Sequence, residues 1–461
     1  MEQSQIFDQA LIEKYDYAGP RYTSYPTAPQ FHEGFGEAAY RTAAAASNGS
    51  GRPLSLYFHI PFCDTVCFYC ACNKIATKDR GMAVGYLEHL YRELQMQGEL
   101  FDRSRRVDQL HWGGGTPTFL SHDQMRDLMR VTGENFTLAD DDSGEYSIEI
   151  DPREATSETI AMLREIGFNR LSLGVQDLDG RVQKAVNRIQ SETETMAVLE
   201  AAHENRYRSV SVDLIYGLPF QTADSFARTL DRIIEVGPDR LSVFNYAHLP
   251  ERFKPQRRIN AEDLPPPDVK LDILKMTIDH LTAAGYLYIG MDHFARPDDE
   301  LAQAQREGTL YRNFQGYSTH SNCDLVALGV TSISTIENSY SQNVRTLDEY
   351  YRLIDEGRLA VFRGIELNRD DLIRRDVITR LICHFALDFT AVEERWDIRF
   401  GDYFSEDISQ LGDMAQDGLL EVDTAGIRVL PPGRLLIRNI CMAFDKYLPP
   451  AAQQKNFSRV I

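Results

Sequence analysis

The sequence has few cysteines, no long apolar run and no excess of basic residues. Its 461 residues include seven cysteines, too few for a disulfide scaffold, and no apolar stretch approaches the roughly 18 residues that a membrane-spanning helix requires. Lysine and arginine total 49 against 69 aspartates and glutamates, a formal net charge of −20. Because nucleic acids and anionic lipids are bound through basic side chains, this balance disfavours both as partners.

The N-terminus has neither the basic start nor the apolar core of a secretory signal, which predicts a cytoplasmic protein. At roughly 150 residues per domain, the length is enough for about three domains. We predict an extended N-terminal arm over residues 1–52 that covers the active site, a catalytic barrel with its extension over 53–359, and a mainly helical, winged-helix-like domain over 360–461. The acidic balance favours a packing or lid role for that last domain over DNA binding.

Between about residues 53 and 295, short β-branched or aromatic runs alternate with amphipathic segments, a pattern typical of repeated βα units around a parallel sheet. This indicates an α/β barrel, complete or partial, with its site at the carboxyl ends of the strands. Ser121 and Thr222 are expected N-caps. The predicted strands are Pro53–Ile60, Val107–Gly113, Tyr146–Asp151, Arg170–Gln176, Val210–Gly217, Leu241–His248 and Tyr286–Asp292.

Four of the seven cysteines lie within ten residues, at Cys63, Cys67, Cys70 and Cys72. The first three form a C-x3-C-x2-C pattern directly after the first predicted strand. A structural zinc site usually needs two distant cysteine pairs, and the sequence has no second pair, so zinc is disfavoured. Three close thiolates can instead hold three irons of a 4Fe-4S cluster and leave the fourth iron for another ligand. Cys72 as that fourth ligand would close the open iron.

The C-x3-C-x2-C motif, with Tyr69 before its last cysteine, resembles the signature of the radical S-adenosylmethionine (SAM) enzymes. The resemblance implies a partial (β/α)6 barrel of the radical SAM kind. It also implies that SAM chelates the fourth iron, and that one electron from the cluster cleaves SAM into methionine and a 5′-deoxyadenosyl radical. The cofactors would then carry the difficult chemistry, and the protein would supply placement.

A longer resemblance covers nearly the whole chain, including YTSYPTAPQF, QLHWGGGTPT, VDLIYGLP and RNFQGYSTH. With the C-x-C ending at Cys72, these segments are similar to the oxygen-independent coproporphyrinogen III oxidases. That family implies oxidative decarboxylation of the ring A and B propionates of coproporphyrinogen III to vinyl groups, giving protoporphyrinogen IX in haem biosynthesis. It further implies an electron donor such as flavodoxin or ferredoxin, two SAM sites and a monomer.

Two alternatives remain open, a haem chaperone related to this family and a haem-modifying radical SAM relative. The chaperones characteristically have Phe in place of Cys72 and lack the N-terminal arm, so both features favour the oxidase. The substrate has four carboxylates and the chain is acidic, so local Arg or Lys must bind them. Arg21 in the arm is one candidate for such a contact, and His59 is left without an assigned role.

Glycines 113–115 follow the second predicted strand, where missing Cβ atoms let backbone approach a ligand. Glu149 near the end of the third strand needs a cationic partner, either the SAM amine or a barrel Lys or Arg. The resemblance implies cluster ligands Cys63, Cys67 and Cys70. It implies SAM contacts at Tyr57, Tyr69, Gly114, Gly115, Thr116, Glu149, Gln176, Arg188, Asp213, Ala247 and Ile333. It implies catalytic importance for Tyr57, Glu149, Phe314, Gln315 and Ile333.

Overall fold

A computed structural model of the protein describes residues 6–448. Its strands, in chain order, are β1 (Leu54–Ile60), β2 (Phe62–Cys63), β3 (Ile75–Ala76), β4 (Arg106–Gly114), β5 (Thr137–Leu138), β6 (Glu145–Ile150), β7 (Arg170–Gln176), β8 (Ser209–Tyr216), β9 (Arg240–Asn245), β10 (Leu287–Gly290), β11 (His293–Ala295), β12 (Tyr311–Asn313), β13 (Gly316–Ser318), β14 (Asp324–Leu328), β15 (Ile333–Ile336), β16 (Ser339–Asn343), β17 (Val361–Glu366), β18 (Ala386–Asp388), β19 (Leu420–Val422) and β20 (Gly426–Val429).

The α-helices of the same residues are α1 (Gln9–Tyr15), α2 (Glu37–Ser47), α3 (Gly81–Gly98), α4 (His122–Asn135), α5 (Ser157–Glu165), α6 (Gly180–Ala185), α7 (Glu192–Glu204), α8 (Ala223–Val236), α9 (Pro267–Ala283), α10 (Glu300–Glu307), α11 (Leu347–Asp355), α12 (Arg369–His384), α13 (Phe389–Trp396), α14 (Phe400–Tyr403), α15 (Ser405–Ser409), α16 (Gly412–Gln416), α17 (Pro431–Leu435) and α18 (Ile437–Met442). No helix in this part of the chain is long and apolar enough to cross a membrane.

Six parallel strands in the order β1, β4, β6, β7, β8 and β9 form an open barrel, as predicted. Helices α3, α4, α5, α7, α8 and α9 follow these strands in turn. Ser121 and Thr222 cap α4 and α8 through reciprocal hydrogen bonds with the third residue of each helix, which confirms both predicted caps. The apolar faces of the helices cover the outside of the sheet and build the main core.

The alternation of side chains along each strand sets what faces the barrel interior. In β6, Tyr146, Ile148 and Ile150 are buried, and Ser147 and Glu149 are only partly buried. Because successive side chains of a strand point to opposite faces, Ser147 and Glu149 share the inner face of the sheet. This periodicity makes the interior a polar column, with the carboxyl ends of the strands at one mouth.

The sheet continues past β1 on the other side. Strand β14 pairs with β1 in parallel, and β15, β16 and β17 follow it antiparallel. At the opposite edge, β10 pairs with β11, and β11 runs antiparallel to β9. The prediction of one barrel strand over Tyr286–Asp292 was therefore wrong in its length and in its place, because β10 spans only Leu287–Gly290 and β11 separates it from β9. Met291 has a φ of +53°, and the chain reverses there into a hairpin.

Two further segments contain regular structure. The region after residue 298 forms α10 and the β12–β13 hairpin. The N-terminal arm is not extended throughout, because it contains α1 and α2. Tyr40 of α2 is 1% exposed, and its hydroxyl donates to Gln97 of α3 at 2.8 Å, so a local helix is stabilised by packing on the barrel.

The C-terminal region contains α12 to α18 with a three-stranded antiparallel sheet of β18, β20 and β19. Arg438 of α18 is 2% exposed and donates to the carbonyl oxygens of Gly19 and Pro20 in the arm. The arm and this region are therefore packed together. The division into segments 1–52, 53–359 and 360–461 stays a prediction.

Candidate functional site

A cavity of about 350 Å³ opens at the carboxyl ends of the barrel strands. The loop after β1 brings three cysteines to it, and the ends of the neighbouring strands supply polar groups and glycines. The lining residues are Cys63, Thr65, Cys67, Tyr69, Cys70, Cys72, Lys74, Gly114, Gly115, Thr116, Pro117, Glu149, Ile150, Asp151, Arg153, Ser172, Gly174, Gln176, Arg188, Asp213 and Phe244.

Two of the three motif thiols are surrounded by hydrogen-bond donors. Cys63 is 8% exposed, and burial raises the pKa of its thiol to about 11 although the Thr116 hydroxyl donates to its sulfur at 3.6 Å. The sulfur of Cys67 lies 3.5 Å from Nη1 of Arg188 and 3.6 Å from Nη2 of Arg153. Cationic donors at this range stabilise a thiolate, which is the form that binds metal.

The third motif cysteine has a different neighbour. A hydrogen bond from the Cys72 thiol, assisted by the Lys74 ammonium, lowers the pKa of Cys70 to about 5 against the opposing effect of burial. Lys74 also donates to the backbone oxygen of Cys70 at 3.3 Å. Cys72 itself is exposed. The C-x-C ending therefore places a thiol donor next to the last motif cysteine.

Gly114 and Gly115 lie so close to neighbouring groups that a Cβ atom at either position would clash. Gly114 has a φ of +117°, and a Cβ there would lie 2.7 Å from the His59 ring. A Cβ on Gly115 would lie 2.6 Å from the carbonyl oxygen of Phe62 in the cysteine loop. The Gly115 N–H donates to Ile60 at 2.8 Å, so β4 is held directly against the start of that loop. A side chain is excluded at Gly114 by the His59 ring and at Gly115 by the backbone of the cysteine loop.

Glu149 is the carboxylate of the cavity. Its Oε2 accepts from the Gly114 N–H at 3.1 Å, its Oε1 lies 3.4 Å from Nε2 of His111, and its side chain is 45% exposed. Burial acts to raise the pKa of Glu149, but the His111 and Gly114 hydrogen bonds outweigh it and hold this pKa below the usual value. The site thus presents a carboxylate anion with a free face toward the cavity, suited to a cationic ligand.

An arginine pair shares one carboxylate beside Cys67. Asp151 accepts from Arg188 Nη1 at 3.0 Å and from Arg153 Nη2 at 2.7 Å. Burial acts to raise the pKa of Asp151, and the two guanidinium groups reverse that effect and lower it. Nε of Arg188 is buried and has no hydrogen-bond partner within the described chain. One negative charge against two positive charges leaves this wall of the cavity electropositive.

The strands β7 and β8 close the far side. The Ser172 hydroxyl donates to Asp213 at 3.2 Å, and burial raises the pKa of Asp213 to about 6. Gln176 ends β7 with a φ of +69°, an uncommon backbone conformation for a residue with a side chain. A Cβ on Gly174 would lie 2.8 Å from the Gln176 amide, so glycine makes room for that side chain.

Comparison with known proteins was made at the level of families, sequences and structures. The model of the radical SAM superfamily matches residues 57–233, and the model of the HemN C-terminal domain matches residues 367–436. The oxygen-independent coproporphyrinogen III oxidase of Pseudomonas aeruginosa is 58% identical over 455 residues, which span 99% of both chains. This chain belongs to the oxygen-independent coproporphyrinogen III oxidase family.

Further members of the family agree. The oxygen-independent coproporphyrinogen III oxidase of Escherichia coli is 55% identical, over 99% of this chain and 98% of its own length. The solved structure described as coproporphyrinogen III oxidase (HemN) from Escherichia coli, a radical SAM enzyme, superposes with a TM-score of 0.92. It is 54% identical and covers 96% of this chain and 100% of its own. The radical SAM α/β fold expected from the sequence is thereby confirmed.

The family's cofactors can be compared with the groups in the cavity. Three thiols with nearby hydrogen-bond donors fit a cluster bound through three cysteines, and the free face of Glu149 fits the cationic amine of SAM. Within residues 6–448 no group of three or more His, Cys, Asp or Glu side chains is arranged to hold a single metal ion.

Eleven of the sixteen predicted site residues line this cavity, and five do not. Tyr57 stacks on His111 with ring centroids 5.8 Å apart, and its hydroxyl lies 3.2 Å from Nδ1 of His59, so it reaches Glu149 through His111. Ala247 lies two residues beyond the end of β9. The structure brings together Cys63, Cys67, Cys70, Tyr69, Gly114, Gly115, Thr116, Glu149, Gln176, Arg188 and Asp213.

The remaining three residues form a separate group near the arm. Phe314 and Ile333 pack against Phe31 and Tyr340, and the Phe31 and Phe314 rings are 6.4 Å apart. Gln315 is the neighbour of Phe314 at the β12–β13 turn, and its Nε2 is buried with no hydrogen-bond partner among the described residues. These residues connect the arm to the barrel extension.

The sequence reasoning missed several cavity residues. Asp151 and Arg153 directly follow the third strand, where side chains at a barrel mouth are expected, but only Glu149 was chosen from that segment. Lys74, Ser172 and Phe244 also line the cavity. Ser172 had a usable signal, since it precedes Gln176 by four residues on the same strand face.

Arg21 does not reach this cavity. Its guanidinium forms an ion pair with Asp292, and Arg312 and Arg438 lie close to it. Burial, with the positive charge of those two arginines, lowers the pKa of Arg21 to about 9. The arm thus places Arg21 in a basic cluster beyond the hairpin of β10 and β11.

Proposed function

We propose that this chain catalyses the oxidative decarboxylation of the ring A and B propionates of coproporphyrinogen III to vinyl groups, giving protoporphyrinogen IX in haem biosynthesis. The observation that carries the proposal is the set of three motif cysteines facing Glu149 across one cavity at the strand ends. Identity of 58% across the full length to a named enzyme of this activity supports the substrate.

Cys63, Cys67 and Cys70 are proposed to hold a 4Fe-4S cluster. When bound, the cluster and SAM supply a 5′-deoxyadenosyl radical that removes a β-hydrogen from a propionate. The residues of the chain bind and orient around this chemistry. Thr116, Arg153 and Arg188 donate toward the cysteine sulfurs, which stabilises the thiolates and disfavours their protonation.

Two SAM sites are proposed in and beside the cavity. Glu149 is suited to the amino group of the cluster-bound SAM, because its carboxylate has a lowered pKa and an open face toward the cavity, and the Gly114 N–H holds it in place. Tyr57 holds His111, and thus Glu149, in place. The second SAM is assigned to Tyr69, Gly115, Thr116, Gln176, Arg188, Asp213, Ala247 and Ile333.

The roles of Phe314, Gln315 and Ile333 are proposed to be placement of the substrate or of the second SAM. Their group joins the arm to the β12–β13 hairpin, so a change there alters the cover of the barrel and not the cysteine loop. An electron donor such as flavodoxin or ferredoxin, a monomeric state and a cytoplasmic location complete the proposal.

An anaerobic assay tests the activity. The purified protein, reconstituted with iron and sulfide, is incubated with coproporphyrinogen III, SAM and a reductant. We expect two equivalents of carbon dioxide and a divinyl product for each substrate. Haem bound without SAM-dependent product would identify the chaperone alternative, and consumption of haem would identify a haem-modifying enzyme. SAM cleavage with no carbon dioxide release would refute the oxidase proposal.

A further inference from the structure

The outer side of the cysteine loop carries a second concavity, which we call the basic groove. It has a volume of about 570 Å³ and is separate from the SAM cavity. Its lining residues are Asp64, Thr65, Val66, Phe68, Lys78, Asn187, Lys254, Pro255 and Arg258.

The wall between the two cavities is the cysteine loop itself. Thr65 lines both cavities, and Val66 and Phe68 flank Cys67, which faces the inner one. The loop is tied down from outside, because Asn187 donates to the Val66 carbonyl at 2.8 Å and the Phe68 N–H donates to Val186 at 2.9 Å. A molecule in the basic groove is therefore separated from the motif sulfurs by a single layer of chain.

The groove is basic on an acidic protein. Lys78, Lys254 and Arg258 are exposed, and none of the three forms an ion pair within residues 6–448. The Arg258 guanidinium lies over the Phe68 ring at 5.3 Å, and Asp64 is paired with Arg80 at 3.3 Å. The net charge of the whole chain is −20, so a local group of three cations without ion-pair partners differs in sign from the surface as a whole.

The position of these cations is fixed relative to the cysteine loop. Lys254 and Arg258 are the two ends of a 3-10 helix, Lys254–Arg258. Its central Gln256 is 2% exposed, donates to the carbonyl of Tyr69 at 3.0 Å and accepts from the Leu249 N–H at 2.6 Å. Through this bond to Tyr69, inside the cysteine motif, the buried Gln256 fixes the positions of Lys254 and Arg258 relative to the motif thiols.

We propose that the basic groove is the docking surface for a small acidic protein that carries one electron. This rests on the function proposed above, in which the cluster must receive an electron from outside the SAM cavity. On docking, the carrier is oxidised by one electron and the cluster is reduced by it, and no bond or proton is exchanged. Phe68 and Val66 supply an apolar centre and the three cations a charged rim, the arrangement of a transient protein interface.

The test reverses the three charges. The variant Lys78→Glu, Lys254→Glu, Arg258→Glu is compared with wild type for binding of a flavodoxin and, separately, of a plant-type ferredoxin, by calorimetry at low ionic strength. We expect binding of at least one carrier to weaken by about tenfold or more. We also expect the wild-type affinity to fall with added salt and the affinity of the variant to change little.

Stopped-flow absorbance supplies a second measurement. The rate at which the reduced carrier bleaches the cluster should fall in the variant, and the rate with dithionite, a small reductant, should be unchanged. The matched control is Arg103→Glu, Arg228→Glu, Arg399→Glu, which makes the same charge change at positions that do not line the groove. The control should behave as wild type.

Unchanged carrier affinity and reduction rate in the groove variant would overturn the proposal, as would an equal loss in the control. Inorganic phosphate or anionic vesicles that bind wild type and not the variant, with no effect on either carrier, would also overturn it. The assay with dithionite distinguishes failure of the proposed function from failure of the docking proposal. If wild type gives no carbon dioxide with dithionite, the oxidase assignment fails, and the docking result is read from the binding data alone.

Discussion

Two carboxylates on the same strand show how the two ends of the barrel differ. Glu145 begins β6 and Glu149 lies four residues later, and both face the interior. Glu145 accepts from Gln109 at 2.8 Å and from Thr319 at 3.1 Å, with His320 and Arg170 also near. Within residues 6–448, Glu149 is bonded only by the Gly114 N–H and His111, and its side chain is 45% exposed against 11% for Glu145.

The pattern extends beyond this pair. At the amino ends of the strands, buried charges are matched by opposite charges, as in Arg105 with Asp324 and Arg240 with Asp299. At the carboxyl ends, the partly exposed Glu149 forms no ion pair with an Arg or Lys within residues 6–448. A carboxylate is costly to bury without a cationic partner, so the open face of Glu149 marks the place where a cationic ligand can bind.

The largest effect is expected from the cysteines. Cys70→Ser should lose the cluster and bring product formation to background, because serine does not replace the thiolate, and it should leave the melting temperature of the apoprotein near wild type. Iron content and cluster absorbance after anaerobic reconstitution measure the change. Cys72→Ser is the control and should retain iron. Retention of iron in both variants would contradict the assignment of Cys70 as a cluster ligand at the carboxyl ends of the strands.

The next effect tests the amino end. Asp324→Asn leaves Arg105, whose side chain is 1% exposed, without its carboxylate, and should lower the free energy of unfolding by about 3 kcal/mol. Urea denaturation measures this. Once folded and reconstituted, the variant should bind SAM as wild type does. A variant that is as stable as wild type but binds SAM poorly would contradict the assignment of stability to the amino end of the barrel and SAM binding to the carboxyl end.

The paired substitution at β6 sharpens the comparison. Glu149→Gln removes the anion proposed to meet the SAM amine, and should weaken SAM binding about 10- to 100-fold at little cost in stability. Glu145→Gln should do the opposite, lowering stability and leaving SAM affinity unchanged. Calorimetric SAM titration and urea denaturation of both variants make the test. Similar SAM affinities for the two variants would contradict it.

The smallest effect concerns pH. Burial raises the pKa of Asp213 to about 6, so the fold disfavours its ionised form, and the destabilisation grows as pH rises from about 4 through 6. Asp213→Asn should therefore raise the free energy of unfolding by about 1 kcal/mol at pH 8 and by less at pH 4. Urea denaturation across this range measures it.

Glu145 is expected to change stability with pH in the direction opposite to that of Asp213. Burial would raise its pKa, but the hydrogen bond from His320 and the charges of Arg170 and Arg240 hold this pKa well below its usual value. Its contribution to stability is therefore present above about pH 4.5 and is lost as pH falls below that. The cost of Glu145→Gln should shrink on acidification. A cost that stays constant with pH would contradict the paired state of the amino end.

Local pattern was sufficient for the barrel but not for its surroundings. The six parallel strands were each predicted within two or three residues, because β-branched runs between helical periods are strong signals. The β10–β11 reversal was not predicted, because a short antiparallel edge strand has the same composition as a barrel strand. Helix α2 was missed although Glu37–Ser47 contains six alanines, a strong local signal for a helix, and the Tyr40 contact with α3 then fixes its position.

The sequence by itself determined the cysteine spacing, the acidic balance and the alternation that puts Glu145 and Glu149 on one face, because each is a local property of the chain. Only the tertiary structure decided which of these carboxylates is paired. Arg188, a residue between α6 and α7, meets Cys67 and Asp151 only when three βα units have folded together. Such contacts join residues far apart in the chain, and no periodicity of the sequence encodes them.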